Sequence, residues 1–491
     1  MHFEVSHDFG AAPVLHVNGN LGAAGAMHQI SGEIAGLRQE GQYAVCIDLS
    51  KSCCNGFAGA FALVEVATRE AQSTLAFFEA PKALIRCLEQ SDMMRFLNVH
   101  IEESAAQASV GHRQNGLSVT DAVVLCAGRG TRMGRLSELT PKPMLDILGK
   151  PALERIIDHL ASQGIGRVVL NPGHLGPQIQ TYFRASPVAP KVSFFPEGDW
   201  VENAWRSEPL GSASTLLNLH HKFRAISGDI VVVCGDALTD IDLVAMMAQH
   251  KRTRARITIA TKSVPFEHVS KYGIIVTDEE KNVVSFQEKP TLSEAKSNLA
   301  NVGIYIISEE VLEDVPLKSG LDLANDLLPH AMKNSGTVFA FQDAFDWLDI
   351  GSSHDYFSVI SDLLDSERPW ISPVGQKIRP GLWIHETADV ARPRNIFGNA
   401  YIGAGSTVHR TAKIEGPVSV GAGCRINAFA KVSKSLVLNK TTVQKSTKHI
   451  GAVVSDDWSI QHTPPNKPEN VISENLAPAL TPVRAPLLRA S

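Results

Sequence analysis

The chain has 491 residues, 44% hydrophobic and 20% charged, enough for several ordinary globular cores. With 46 Lys+Arg against 51 Asp+Glu the formal charge is −5, which speaks against a nucleic-acid or membrane-surface protein. The seven cysteines fit no metal spacing, "MHFEVSHDFG" has no signal-peptide pattern, and no apolar run approaches the ~20 residues of a membrane-spanning helix, so a cytoplasmic protein with reduced thiols is expected.

Residues 1–105 alternate strand and helix signals. "YAVCIDLS" puts Val45, Ile47 and Leu49 on one face of a strand. "AMHQISGEIAGLRQEG" predicts a helix closed by Gly41, and "KALIRCLEQSDMMRFLN" predicts another amphipathic helix. The order of "VLHVNGNLGAAGAMHQI", "CIDLSKSCCNGFAGAFAL" and "LIRCLEQSDMMRFLNVHI" resembles a STAS domain, the fold of anti-sigma factor antagonists. Members switched by phosphorylation carry Asp-Ser-Ser-Gly in the loop after the Asp-Leu-Ser strand. Here the aligned residues are Gly56-Phe57-Ala58-Gly59, with Ala58 in place of the acceptor serine, so no phospho-switch is expected there. The resemblance implies a small α/β domain that binds a protein partner or packs on its neighbour. Residues 106–118, "AQASVGHRQNGLS", read as a small, polar linker.

Residues 119–365 form a longer α/β run. "DAVVLCAG", "RVVLN", "DIVVVCGD" and "RITIA" are buried-strand patterns. "PALERIIDHLASQG" and "DLVAMMAQHKR" are helical patterns between them, the first with Leu153, Ile156, Ile157 and Leu160 at i, i+3, i+4, i+7. Such alternation implies a mixed, mostly parallel sheet covered on both faces, with ligands beyond the carboxyl ends of its strands. Directly after the first strand comes "CAGRGTRMGRLSELTPKPML". Gly128 and Gly130 let backbone N–H groups approach phosphate oxygens, Thr131 offers a hydroxyl, and Arg132 a guanidinium fork. Lys142 is a point charge between Pro141 and Pro143. The loop lacks the Gly-Lys-Ser/Thr of a P-loop and the third glycine of a dinucleotide fingerprint. Downstream, Asp236 in "CGDALTDID" and Asp349 in "FDWLDIGSS" are carboxylates that could share a Mg²⁺, and "KYGII" and "SFQEKP" add Tyr272, Gly273, Glu288 and Lys289.

Taken in order, these motifs resemble the nucleotide-sugar pyrophosphorylases, the sugar-1-phosphate nucleotidyltransferases, over the whole 119–365 segment. The family's glycine-Thr-Arg loop matches Gly128, Gly130, Thr131 and Arg132, and its Pro-Lys-Pro matches Pro141–Pro143. "EPLGSAS", with Glu208 and Gly211, resembles its Pro-Leu-Gly-Thr-Ala turn; Gly235-Asp236 matches its Gly-Asp site. Tyr272-Gly273, Glu288–Pro290, Asn301-Val302-Gly303 and Trp347-Leu348-Asp349-Ile350-Gly351 match the remaining motifs. Ala127 stands where many members have glycine, Val302 replaces a small alanine, and Gly134-Arg135 an Arg-Pro pair. The resemblance implies a Rossmann-like nucleotidyltransferase domain. Nucleotide would be bound by Leu125, Ala127, Gly128, Gly130, Thr131, Glu208 and Gly211. Sugar would be bound by Tyr272, Gly273, Glu288, Asn301 and Val302. Catalysis would rest on Arg132, Lys142 and Lys289, and Mg²⁺ on Asp236 and Asp349.

From residue 371 the pattern changes. Ile378, Ile384, Val390, Ile396, Ile402, Val408, Ile414, Val420, Ile426, Val432 and Leu438 recur every six residues. Ala388, Ala400, Ser406, Ala412, Cys424 and Ala430 follow four positions after most of them, with Arg394 and Leu436 breaking the second pattern. A sustained hexapeptide period predicts a parallel β-helix over 371–460. Several pyrophosphorylase branches carry a left-handed β-helix at this place, which implies an oligomerisation or regulatory role and a homo-oligomer. The tail, 462–491, is proline-rich and reads as disordered. The resemblance leans towards mannose-1-phosphate guanylyltransferase, which converts GTP and mannose-1-phosphate to GDP-mannose and pyrophosphate. Glucose-1-phosphate with dTTP or UTP remains open, as does a non-catalytic nucleotide-sugar-binding regulator signalling through the STAS-like segment.

Overall fold

The apolar run at 121–125 becomes the strand Asp121–Leu125, hydrogen-bonded in parallel to Arg167–Leu170 on one side and Ile230–Cys234 on the other. In this computed structural model the sheet continues through Lys191–Phe194 at one edge and through Leu299–Ile307, Ile257–Ser263 and Val338–Gln342 at the other. Leu299–Ile307 runs antiparallel to Ile230–Cys234, Ile257–Ser263 and Gly273–Thr277, while Ile257–Ser263 and Val338–Gln342 pair in parallel, so the sheet is mixed with most strands running the same way. The structure describes every residue except 7–11, 40–43, 54–56, 71–73, 92–96, 105, 108–116, 118–120, 186–189, 224, 227, 334–337, 367, 462–471 and 475–491.

Helices cover the sheet because their apolar stripes have the right period. Ala152–Ser162 buries Leu153, Ile156, Ile157 and Leu160, and the chain then reverses at Gly164, whose φ is +91°. Leu243–Thr253 starts where the Asp242 carboxylate accepts a hydrogen bond from the Ala245 N–H at 3.0 Å. Val123, Val232, Ile259 and Ile307 share one apolar cluster with Leu216 and Leu217.

The chain forms two compact units. One holds Met1–Leu145, Lys150–Ser352 and Glu367–Ser372; the other holds Asp146–Gly149, Ser353–Ser366 and Pro373–Ser491. Within the first unit, the N-terminal segment builds its own sheet in the order His2–Ser6, Val14–Asn20, Ala44–Asp48, Thr74–Phe78, Val99–His100. Its first pair is antiparallel and the others are parallel. The helices Ala26–Gln39, Phe57–Arg69 and Lys82–Gln90 lie between these strands in sequence. The last closes at Ser91, whose N–H and hydroxyl both donate to the Cys87 carbonyl, at 3.1 and 2.6 Å; the rest of the predicted helix, at 92–96, lies outside the described residues. Gly41 and Gly56 lie outside the described residues. Of the segment read as a linker, Ala106 and Leu117 are buried and most of the rest lies outside the described residues.

In the second unit the hexads become three stacks of parallel strands. One stack holds Leu382–Ile384, Ala400–Ile402, Val418–Val420, Leu436–Val437 and Ala452–Val454. Strands pair with partners eighteen residues on, three hexads, so Ile384, Ile402 and Val420 form one column and Ile396, Ile414 and Val432 another. The period then departs from the sequence pattern. Beyond Ser419 the pairing offset falls to seventeen, so Val437 rather than Leu438 continues beneath Val420, and His449 lies opposite Val432. Ile378 is 49% exposed, because it belongs to an antiparallel hairpin before the stack begins. Ile472–Glu474, inside the segment expected to be disordered, forms a strand antiparallel to Trp458–Gln461; the rest of that segment lies outside the described residues. Among the described residues no helix is long and apolar enough to cross a membrane.

Candidate active site

The chain leaves Asp121–Leu125 towards Arg167–Leu170 on one side and returns at Ile230–Cys234 on the other. The carboxyl end of Asp121–Leu125 is therefore a topological switch point, where an open α/β sheet leaves a crevice for a ligand. The glycine loop and Gly235-Asp236 meet there. Gly235 N–H donates to the Leu125 carbonyl at 2.9 Å, and a Cβ on Gly235 would lie 3.0 Å from that oxygen and 3.2 Å from Pro143 Cγ. A side chain there would push both neighbours aside by a few tenths of an ångström, so glycine suits this close approach.

Past Leu125 the loop is pinned by backbone bonds. Cys126 N–H donates to Asn171 Oδ1 at 2.6 Å, and the Ala127 carbonyl accepts from His174 N–H at 3.0 Å. Gly128 is exposed with open space around it. Gly130 takes φ +62° ahead of the short 3₁₀ turn Thr131–Met133, and its Cβ position lies 3.2 Å from Lys142 Cβ. That approach sets the glycine loop against the Pro-Lys-Pro turn. Thr131 and Arg132 are exposed.

Lys142 opens a second 3₁₀ turn, Lys142–Met144, and its Nζ donates to Asp236 Oδ2 in a close ion pair. Past Asp236, Ala237–Thr239 pairs antiparallel with Trp347–Asp349, with Ala237 opposite Asp349. Asp236 and Asp349 are thus brought to adjoining positions of one two-stranded ladder. Thr239 Oγ1 donates to the Asp346 carbonyl at 2.7 Å, and Asp346 N–H to Asp240 Oδ1 at 2.6 Å, which hold that ladder in register.

The motifs expected to bind sugar include one, Tyr272-Gly273, that packs on the same ladder. Gly273–Thr277 and Val283–Glu288 form a hairpin with Gly273 opposite Glu288. A Cβ on Gly273 would lie 2.6 Å from Phe286 Cζ and 3.3 Å from Glu288 Oε2. Lys289 has φ +44°, donates its N–H to the Tyr272 carbonyl at 3.1 Å, and sets Nζ 2.5 Å from Glu288 Oε1. The Tyr272 ring lies 5.0 Å from that of Trp347, two residues before Asp349. Asn301 Nδ2 donates to the Tyr305 hydroxyl at 2.7 Å, and Gly303 N–H to Asn301 Oδ1 at 3.0 Å; Val302 is buried. A Cβ on Gly303 would lie 2.9 Å from Cys234 Sγ, which places this arch beside the strand that delivers Asp236.

Glu208 is exposed, and its N–H donates to the Glu197 carbonyl at 2.9 Å. Gly211 has φ +99° at the start of Ser212–Leu217, and a Cβ there would lie 2.5 Å from the Leu321 carbonyl oxygen. Glu208 shares with Arg129, His174, Trp205 and Arg206 the lining of an open cleft of about 820 Å³, within the size range of small-molecule sites.

Two residues that the sequence reading passed over organise this region. The Glu197 carboxylate accepts from Asn171 Nδ2 and Leu210 N–H, both at 2.9 Å, and from Thr215 Oγ1. Asn171 in turn holds Cys126. This buried knot ties the glycine loop to the Leu210-Gly211 turn. The available signal was position: each follows closely on a short apolar strand, where a polar residue faces the crevice. The thiols at the site are kept neutral. Burial pushes Cys234 up to about 12, with the Asp236 charge adding to it and Lys142 opposing it. Burial likewise pushes Cys126 up to about 12. Neither is a thiolate nucleophile near neutral pH.

The site is therefore made of cations, carboxylates and close-approach glycines, with no activated nucleophile among these groups: a set suited to holding anions in line. The nucleotidyl transferase family model matches residues 121–366, and the chain belongs to that family. It is 36% identical over 263 residues to UTP–glucose-1-phosphate uridylyltransferase of Synechocystis sp., covering 53% of this chain and 68% of the relative. It is 30% identical to D-glycero-alpha-D-manno-heptose 1-phosphate guanylyltransferase of Campylobacter jejuni, covering 48% of this chain and 96% of that one. It is 27% identical to mannose-1-phosphate guanylyltransferase of Mycobacterium tuberculosis, covering 59% and 76%.

Proposed function

We propose that this chain transfers a nucleotidyl group from an NTP to a sugar-1-phosphate, forming an NDP-sugar and pyrophosphate. The observation that carries this reading is the Lys142–Asp236 ion pair beside a ladder that presents Asp349, at the switch point where the glycine loop ends. A sugar-1-phosphate oxygen attacks the α-phosphorus in line as pyrophosphate leaves. The protein's task is to position two mutually repelling anions and to balance the developing charge. Arg132 and Lys142 balance charge on the triphosphate and the leaving pyrophosphate. Lys289, held at the hairpin end, faces the sugar phosphate, and Glu288, Gly273, Tyr272, Asn301 and Val302 shape the sugar side. The backbone of Leu125, Ala127, Gly128 and Gly130, with Thr131, Glu208 and Gly211, frames the nucleotide.

The donor set fits Mg²⁺, which takes one or two carboxylates together with substrate phosphates. Asp236 and Asp349 would hold it, and it would supply charge neutralisation at the α-phosphate. GTP with mannose-1-phosphate is the pair we favour, supported by the guanylyltransferase relatives. UTP with glucose-1-phosphate is the second reading, favoured by the 36% identical uridylyltransferase. The N-terminal sheet is read as a STAS-like partner-binding module, and the hexad stack as a left-handed β-helix for self-association.

The test is pyrophosphate release with Mg²⁺ from four NTPs crossed with mannose-1-phosphate and glucose-1-phosphate. One pair should release pyrophosphate, and Asp236→Ala should lower that rate by about 10²-fold or more. Tight binding of a nucleotide sugar without release from any pair would instead identify a regulator.

A further inference from the structure

We propose that His220, Glu309 and Glu313 form a second divalent-cation site, of the Zn²⁺ type, at the end of the sheet opposite the candidate active site. His220 is carried on the π-helical turn Asn218–Lys222, which continues the helix Ser212–Leu217. Such turns are rare and are frequently found at functional sites. Glu309 and Glu313 stand four residues apart on the helix Glu309–Asp314 and so share a face. One ligand atom from each of the three residues lies within 4.8 Å of the others.

The independent observation is the state of the imidazole. His220 is 3% exposed, and its Nδ1 is buried with no hydrogen-bond partner among the described residues. It points at Glu309 Oε1 from 3.8 Å. That is too long for a hydrogen bond. It is close to the roughly 3.3 Å that separates two ligands bound tetrahedrally to Zn²⁺ at ~2.0–2.1 Å each. A buried polar atom left unpaired costs stability, so an orphan aimed at a carboxylate needs a third participant. The other Glu309 oxygen accepts from Gly228 N–H at 2.7 Å, an outer contact of the kind that orients a metal-binding carboxylate. Glu313 is exposed, with a carboxylate oxygen already within 4.8 Å of the other two ligand atoms. The adjacent His221 is engaged elsewhere, its Nε2 lying 3.2 Å from the Val315 carbonyl. One imidazole and two carboxylates, with a position left for water, is a set that Zn²⁺ accepts readily.

This place is distinct from Asp236 and Asp349. Gly228 precedes the strand Ile230–Cys234 and Asp236 follows it, and five strand residues span about 17 Å. The cation would clamp the far end of the helix whose first residue follows Gly211 onto the helix that follows Leu299–Ile307.

The experiment is metal content and thermal melting of the full chain, stripped with EDTA and dialysed against limiting Zn²⁺. Co²⁺ absorption in a parallel sample reads the coordination geometry. We expect the wild type to retain one equivalent of Zn²⁺ that Glu313→Gln and His220→Leu both lose. We also expect a rise in Tm with Zn²⁺ that is absent in both variants. Glu313→Gln changes an exposed side chain, so its result stands even if His220→Leu misfolds. Metal content and ΔTm in Glu313→Gln equal to those of the wild type, or no uptake by the wild type, would reduce the cluster to a packing contact. The readout is independent of pyrophosphate release and stands whether or not the chain is an active transferase.

Discussion

Glu197 is 3% exposed, yet it accepts hydrogen bonds from Asn171, Leu210 and Thr215. Without the carboxylate the Leu210 N–H loses its acceptor and Asn171 Nδ2 keeps only a 3.5 Å contact to Thr215 Oγ1, while Thr215 retains the Gly211 carbonyl at 3.1 Å; each buried polar group left unpaired costs about 1–3 kcal/mol. Glu197→Ala is therefore expected to lower the stability of the transition that contains this sheet by at least about 2 kcal/mol, seen as a lower denaturant midpoint. It should also raise KM for the nucleotide more than it lowers kcat, because the Leu210-Gly211 turn loses its anchor while Lys142 and Asp236 keep theirs. A midpoint within a few tenths of a molar of wild type would remove Glu197 from this role. The catalytic candidates themselves were legible as residue types. Lys142 between two prolines and the aspartates after apolar strands carry their chemistry in the local sequence. The Glu197 knot was not, because Cys126, Asn171, Glu197 and the Leu210–Thr215 stretch are separate in sequence and no local pattern joins them.

Among the elements, the hexad stack is the one whose sequence period is clearest and whose departure from it is most informative. A six-residue repeat predicts a column of branched side chains, and Ile396, Ile414 and Val432 form one, all buried. Dropping one residue between Ser433 and Leu436 moves Val437 into the place expected for Leu438 and sets His449 beneath Val432. Burial holds the His449 imidazole below its ordinary value of 6.5. A histidine that resists protonation in the folded state is protonated more readily when unfolded. Its contribution to stability is therefore full above about pH 6.5, and is lost as the pH falls from there through the folded-state value. Hydrogen exchange at Lys431–Ser433 and Lys448–Ile450 should accelerate relative to neighbouring strands as pH drops through this window, after correction for intrinsic rates. His449→Val should remove that excess. An unchanged pH profile in the variant would assign the effect to another group.

For the whole molecule, the division into two units means that among the described residues the cores are separate. The sheet around Val123 and Val232 and the stack around Ile402 and Val420 belong to separate apolar clusters. Chains built from separate cores rarely unfold in one step. Calorimetry of the full chain is expected to give more than one transition, with His449→Val shifting one of them and Glu197→Ala another. A single transition shifted equally by both substitutions would show that the units unfold together.

The sequence by itself determined the local periods and the chemical inventory: apolar strands alternating with amphipathic helices, a six-residue repeat, a glycine loop, a fixed lysine and two well-placed aspartates. These are short-range properties, set by backbone geometry and side-chain type over a few residues. Only the tertiary structure decided which of them meet. Sheet order set Asp121–Leu125 beside Ile230–Cys234, so that Lys142 reaches Asp236, and ladder register set Asp349 opposite Ala237. The same long-range pairing moved the stack's register by one residue and left His220 Nδ1 buried 3.8 Å from Glu309, without a hydrogen-bond partner among the described residues. Contacts between distant segments depend on how buried surfaces fit, and that fit is a property of the packed chain rather than of any stretch within it.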